Sequence, residues 1–223
     1  MNAVIKPKTE HVLITAPDFG ILTLLIAGTA PLVIERFSKK AEMMAKMAQG
    51  QQAKNKKQRS ARDYDVEAES ARYRSEDGWE GMNAGAFRCG MISACRLVGF
   101  KMTLAKLCVS VLADGMDKTD GIPLVRIYGK SETFTAHTRN ATGVTDVRSR
   151  PMYREWAANL RIQYDRQQFS ATDVTNLLAR VGQQVGIGAG RPDSKYSAGC
   201  GWGLFVIPPT SDEKKLRLKF GIK

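Results

Sequence analysis

Six glycines fall within residues 186–203: Gly186, Gly188, Gly190, Gly199, Gly201 and Gly203. Arg191, Lys195 and Tyr196 stand between the two groups, and Trp202 stands inside the second. A residue without Cβ takes positive φ and lets backbone come close to a partner. Successive N–H groups in such a loop can form a concave anion site. The chemistry on offer is therefore phosphate binding, with Arg191 and Lys195 neutralising charge and Tyr196 or Trp202 stacking on a base. The same glycines serve equally as a long turn, and Trp202, beside an apolar strand, serves equally as a core residue. The pattern is neither a P-loop, since no Gly-Lys-Ser/Thr follows, nor a dinucleotide fingerprint, since a helix precedes the glycines and a strand follows them.

A second cluster spans residues 35–62. Arg36, Lys39, Lys40, Lys46, Lys54, Lys56, Lys57, Arg59 and Arg62 face only Glu35 and Glu42. Its first half contains helix formers; its second half has almost no apolar residues and the composition of a chain without a core of its own. It reads either as a solvated linker or as an arm that neutralises phosphates. The whole chain of 223 residues carries 34 Lys and Arg against 22 Asp and Glu, a net charge of +12. An excess of that size implies a polyanionic partner. A third basic group, Arg148, Arg150 and Arg154 around Tyr153, offers phosphate contacts beside an aromatic ring, as single strands require, or is an ordinary surface loop.

Catalysis has few residues to draw on. The only histidines are His11 and His137, and neither lies near the glycine loop in sequence. The acidic run at 63–80 begins with Asp63 and Asp65 but lacks the spacing of a calcium loop. Cys89, Cys95, Cys108 and Cys200 form no C-x-x-C pair, so no zinc site is expected, and three of the four are expected as buried thiols. No catalytic residue, metal or cofactor is expected. The first ten residues lack a signal-peptide pattern, and the apolar run at 21–34 is too short to cross a bilayer. A cytoplasmic setting, in a bacterium or an infected cell, is expected.

The elements that must hold these residues can be read in outline. Ser170 and Asp173 form a capping-box-like pair. Val174, Leu177, Leu178, Val181 and Val185 then fall on one helical face, and Gly186 ends the helix. A second helix starts at Asn83, with Phe87, Met91, Ala94, Cys95 and Val98 on its apolar face; Gly85 and Gly90 on it imply close packing or approach to a ligand. Strands are expected at 21–26, 107–112, 123–128, 132–138, 156–164 and 205–207. Residues 215–220 alternate charge with apolar side chains, as an edge strand or an arm onto a neighbour. The order fits a single α+β domain over residues 1–223 with a β-α-β-β-α-β, ferredoxin-like core. A charged insertion at about 36–80 then separates the first strand from the first helix, and 208–223 is a tail.

A helix followed by Gly186-Ile187-Gly188, a polar spacer, Gly199-Cys200-Gly201-Trp202-Gly203 and a strand resembles the C-terminal glycine-rich loop of the RAMP superfamily, the RRM-like RNA-binding proteins of CRISPR systems. The spacer here is longer than the common pattern. The resemblance is closest to backbone-type subunits that polymerise along RNA, and it extends in general look to phage-encoded relatives. It implies a non-catalytic protein that binds single-stranded RNA or DNA and assembles as a homo-oligomer or helical filament, away from membranes. Residues 81–97 resemble the first helix of such domains and its approach loop, which makes Arg88 a phosphate contact. Some backbone subunits cut target RNA with an aspartate in an inserted loop, so an endoribonuclease using Asp63 or Asp65 is the alternative. A viral structural or assembly protein with a genome-binding basic arm is another.

Overall fold

The computed structural model describes residues 14–36, 63–139, 145–194 and 199–222. Strand β1 (Phe19–Gly28) has two unequal faces: Leu22, Leu24 and Ile26 point toward the main core, while Phe19, Ile21 and Thr23 are exposed. A turn leads to β2 (Leu32–Val33). Helix α1 (Tyr64–Ser70) opens on Asp63 and is followed by β3 (Tyr73–Arg74) and β4 (Glu80–Asn83). Asn83 ends that strand and starts α2 (Ala84–Ala94), its side-chain oxygen accepting from the Gly85 N–H at 2.7 Å. Next come α3 (Met102–Cys108), β5 (Val109–Leu112), β6 (Gly115–Met116), β7 (Pro123–Arg126), β8 (Ser131–Arg139) and β9 (Thr145–Tyr153). The chain closes with β10 (Ala157–Asp165), α4 (Ala171–Arg180), which runs on through a π-helical turn at Val181–Val185, β11 (Phe205–Val206) and α5 (Thr210–Phe220).

The result is a mixed α+β architecture. The largest sheet has the order β11-β1-β10-β5, with each neighbouring pair antiparallel. Its central pair runs in register from Phe19 opposite Asp165 to Ala27 opposite Ala157. Phe87 and Met91 of α2 and Val174 and Leu178 of α4 share one buried cluster with Ile26, Leu160 and Ile162 of this sheet. Gly90 lets the two helices meet: a Cβ there would stand 2.9 Å from a Val181 methyl. The opposite face of the sheet is covered at one end, where Ile222 beyond α5 is buried on Leu25 and Ala157, with Leu216 and Phe220 beside it. A three-stranded sheet, β2-β9-β8, and another four-stranded sheet built of shorter strands, β3-β4-β7-β6, accompany that sheet. Among the described residues no helix is long and apolar enough to cross a membrane.

Four expectations need correction. Residues 145–153 are not a loop: β9 pairs with β8 along its length, and polar contacts such as Thr135 to Ser149, 2.7 Å between hydroxyl oxygens, replace the apolar alternation that marks most strands. Residues 215–220 are not a strand. They form the end of α5, which has Asp212 and Glu213 in its first turn, Arg217 and Lys219 in its last, and Gly221 at φ 64° as its left-handed cap. Leu107 and Cys108 belong to α3, and only residues 109–112 are strand. Two thiols are buried rather than three: Cys95 and Cys108 lie in the core, where burial pushes both pKa values up, while Cys89 and Cys200 are exposed.

Candidate nucleic-acid interface

The glycine loop begins where α4 ends. Ser170 accepts from the Asp173 N–H at 3.1 Å and donates its own N–H to Asp173 at 2.9 Å, so the helix is capped reciprocally. The Gly186 N–H donates to Val181 at 2.7 Å, closing the π-turn. Beyond it the two halves of the loop bond to each other and to the β1–β2 turn. Ile187 donates to Gly203 at 3.1 Å, Gly203 to Pro31 at 2.8 Å, Ala189 to Val33 at 2.9 Å and Trp202 to Gly190 at 3.3 Å. These N–H groups, expected to face an anion, are directed into the protein.

The glycines divide by what surrounds them. At Gly188, with φ at 76°, an added Cβ would lie 2.5 Å from the Val33 carbonyl oxygen. At Gly203, with φ at 71°, it would overlap the Ile187 carbonyl. Gly186 faces Arg191, Pro192 and the Trp202 carbonyl, and Gly190 faces the Trp202 ring. Among the described residues, by contrast, a Cβ added at Gly201 would meet nothing within 4 Å, and one at Gly199 only Pro192 at 4.0 Å. Four of the six thus let the loop close on the fold; at the other two the described residues leave room for a side chain.

Arg191 folds back to donate to the Gly188 carbonyl at 3.0 Å. Trp202 is half-buried and meets Phe134 of β8 edge-on, with centroids 5.5 Å apart, so it joins the loop to the second sheet. Asp193 ties the loop to α2: the Ser93 hydroxyl donates to it and Arg96 pairs with it at 2.7 Å. The hydroxyl first, then Arg96, hold its carboxyl below the usual range against the opposing effect of burial. Lys195 and Tyr196 lie outside the described residues.

The other expected contacts are dispersed. Arg36 is not on an exposed arm. Its side chain is 6% exposed, pairs with Asp117 and, at 2.7 Å, with Asp120. Arg88 donates to the Lys106 carbonyl and, at 3.0 Å, to that of Val109, serving the carbonyl end of α3. Arg150 pairs with Glu35 at 2.9 Å and the exposed Arg154 with Glu132 at 2.6 Å; Arg148 is half-buried on β9 two residues from Arg150, on the same face. Lys39, Lys40, Lys54, Lys56 and Lys57 lie outside the described residues, as do His11 and the side chain of His137. Asp63 caps α1, accepting from the N–H groups of Asp65 and Val66 at 3.0 and 3.1 Å, and Asp65 is exposed.

Another constellation was not foreseen. Glu80 accepts from the Tyr153 hydroxyl and, at 2.8 Å, from Ser131, while Arg72 reaches it at 3.1 Å and Arg74 at 3.4 Å. Burial alone would raise the Glu80 pKa; the two hydroxyls and two guanidiniums outweigh it and hold the carboxyl below 4.5. The same burial, with Glu80 alongside, pushes the Tyr153 phenol far up. Next to this network lies a cleft with Trp79, Arg126 and Tyr128 in its wall. A basic residue beside an aromatic ring, the signal noted at 148–154, is present at Arg72-Tyr73-Arg74 and Arg126-Ile127-Tyr128. Acidic neighbours, Glu69, Glu76 and Asp77, hid the first of these.

A pH dependence follows. The Glu80 pKa is lower in the folded state than in the unfolded chain, so its stabilisation is full above the unfolded value and disappears as pH falls through the folded one. Melting midpoints measured across acidic pH should drop for the wild type. Glu80→Gln should start lower at neutral pH and lose less on acidification. Parallel curves would remove Glu80 from the acid response.

No protein-family model matches this sequence, and a search of curated proteins returns no match.

Proposed function

We propose that this chain is a RAMP-like protein that binds single-stranded nucleic acid, RNA in the first instance, without catalysing a reaction on it. One observation carries the proposal: the densest positive charge in the sequence is inserted into a core whose strand order is that of a ferredoxin-like domain. Taking β1, β5, β10 and β11 as the four core strands, the order in the sheet is fourth, first, third, second. With helices α2 and α4 taken as the two crossovers, that order supports reading the core as the β-α-β-β-α-β path of the RRM-like folds. Between the first strand and the first helix, residues 37–62 hold eight Lys or Arg and a single Glu, seven of the twelve excess charges. The ends of this segment join the body at Arg36 and Asp63.

In this reading the segment supplies the electrostatic attraction, and the Gly199 to Gly201 edge of the loop is where backbone and strand meet. The strand is a scaffold along which copies assemble head to tail in the cytoplasm of a bacterium or an infected cell. Such heterologous contacts that do not close make filaments.

Salt tests it. Each phosphate neutralised on a single strand contributes roughly −0.7 to the slope of log K against log salt. Fluorescence anisotropy on a labelled oligouridine should show a steep slope, flattened by about 2 in Lys54→Ala/Lys56→Ala/Lys57→Ala. No binding, or an unchanged slope, counts against the proposal. On long strands, sedimentation should show species that grow with strand length; a monomer at saturation would remove the filament.

A further inference from the structure

The cleft beside Glu80 has a volume of about 570 Å³ and is walled by β3, β4, β7 and the residues after β7, with Phe220 of α5 at its edge. Its cations are of two kinds. Arg72 and Arg74 are neutralised: Glu69 and Glu80 pair with them at distances from 2.8 to 3.4 Å. Arg126 and Lys130 are not. Among the described residues no carboxylate pairs with either side chain, and both residues are exposed. The Arg126 guanidinium is held instead by two rings, its central carbon 4.9 Å from the Tyr128 centroid and 5.9 Å from that of Trp79. A cation stacked on aromatic faces keeps its donors in the ring plane available for an anion.

We infer that this cleft is a nucleotide subsite: it takes one nucleotide of a single strand, with phosphate at Arg126 and Lys130 and the base against Trp79. The subsite deepens the function proposed above and rests on it for the identity of the strand. Three features favour a nucleotide over a bare anion. The volume is that of a small-molecule pocket. The wall also holds aromatic carbon, at Trp79 and Tyr128, whose contact a base can use and an inorganic ion cannot. The cleft also shares Glu69, Arg72 and Arg74 with a neighbouring cavity lined by Arg36 and Asp65, at the two ends of the basic segment. A strand attracted by that segment is therefore delivered beside the cleft.

Two measurements on the full chain test this. In anisotropy with labelled oligouridine, Arg126→Ala/Lys130→Ala should weaken binding at least about tenfold, the size of a single lost contact to a charged group, with the melting midpoint unchanged. In tryptophan fluorescence, adenosine 5′-monophosphate should quench the wild type and inorganic phosphate should not, and Trp79→Phe should abolish the quench. If the wild type binds the strand and the double variant binds it equally well, the subsite is overturned while nucleic-acid binding stands. If the wild type does not bind the strand, the broader function fails by itself. Quenching by the mononucleotide then still supports the cleft, and its absence at millimolar nucleotide overturns it. Quenching that persists in Trp79→Phe also overturns it, because the base then stacks elsewhere.

Discussion

Gly203→Val is expected to lose more than about 4 kcal/mol and show no cooperative melt, an effect confined to a few kinds of core or backbone disruption. Two causes act together. The residue is held at φ 71°, a region that β-branched side chains scarcely enter. Any Cβ would also occupy the space of the Ile187 carbonyl, and that carbonyl belongs to a loop bonded at Gly203 itself. Gly201→Val is the control. Its φ is also 71°, but among the described residues nothing lies within 4 Å of the added carbon, so it should carry the backbone strain, about 1–3 kcal/mol. Thermal melting separates the two variants, and anisotropy on the folded Gly201→Val reports whether a strand approaches there. A wild-type melt for Gly203→Val would mean that the two halves of the loop are not stitched together.

Asp117→Ala should be the costliest of the side-chain truncations, about 3–5 kcal/mol, lowering the melting midpoint by roughly 10 °C or more in a chain of this size. The Asp117 side chain is fully buried. It accepts from the N–H groups of Arg74, Thr119 and Asp120 at 3.1, 3.1 and 2.9 Å as well as from Arg36. Removing it takes a carboxylate away from a buried guanidinium that also bonds Asp120 and the Arg72 carbonyl, and undoes a turn. Arg36→Ala should destabilise too, and the double variant should cost less than the two single losses combined, because the two side chains share one interaction. Arg36→Ala should leave the salt slope of strand binding unchanged. A normal melt with a shallower slope would return Arg36 to the phosphate-binding surface.

What could be foreseen was local. The Ser170–Asp173 box depends on residues three apart, and both of its bonds are present. The central strand announced itself by its apolar run. Arg36 could not be placed, because its carboxylate partner lies 81 residues away and a lone arginine at the edge of a basic run looks like part of that run. Strand β9 was missed because it lies between β2 and β8 and satisfies its polar side chains across the sheet. The basic-aromatic cleft was missed for a related reason: Arg72 and Trp79 immediately precede β3 and β4 and Arg126 ends β7, and only the pairing of these short strands brings them to one wall. The glycines were visible, but a glycine that admits a phosphate and one that admits a neighbouring carbonyl look the same in a sequence.

The position of β1 governs how the chain can be made. It is the first strand among the described residues, yet its hydrogen-bonding neighbours are residues 157–165 and 205–206. During synthesis an apolar segment, Ile21 to Ile26, leaves the ribosome with both edges bare and keeps them bare until most of the polypeptide has been translated. Long loop closure must precede any of its native ladders, which slows folding and prolongs exposure to intermolecular pairing. Charges that flank an apolar segment oppose such pairing, and the Lys- and Arg-rich run at 35–62 occupies that place in the nascent chain.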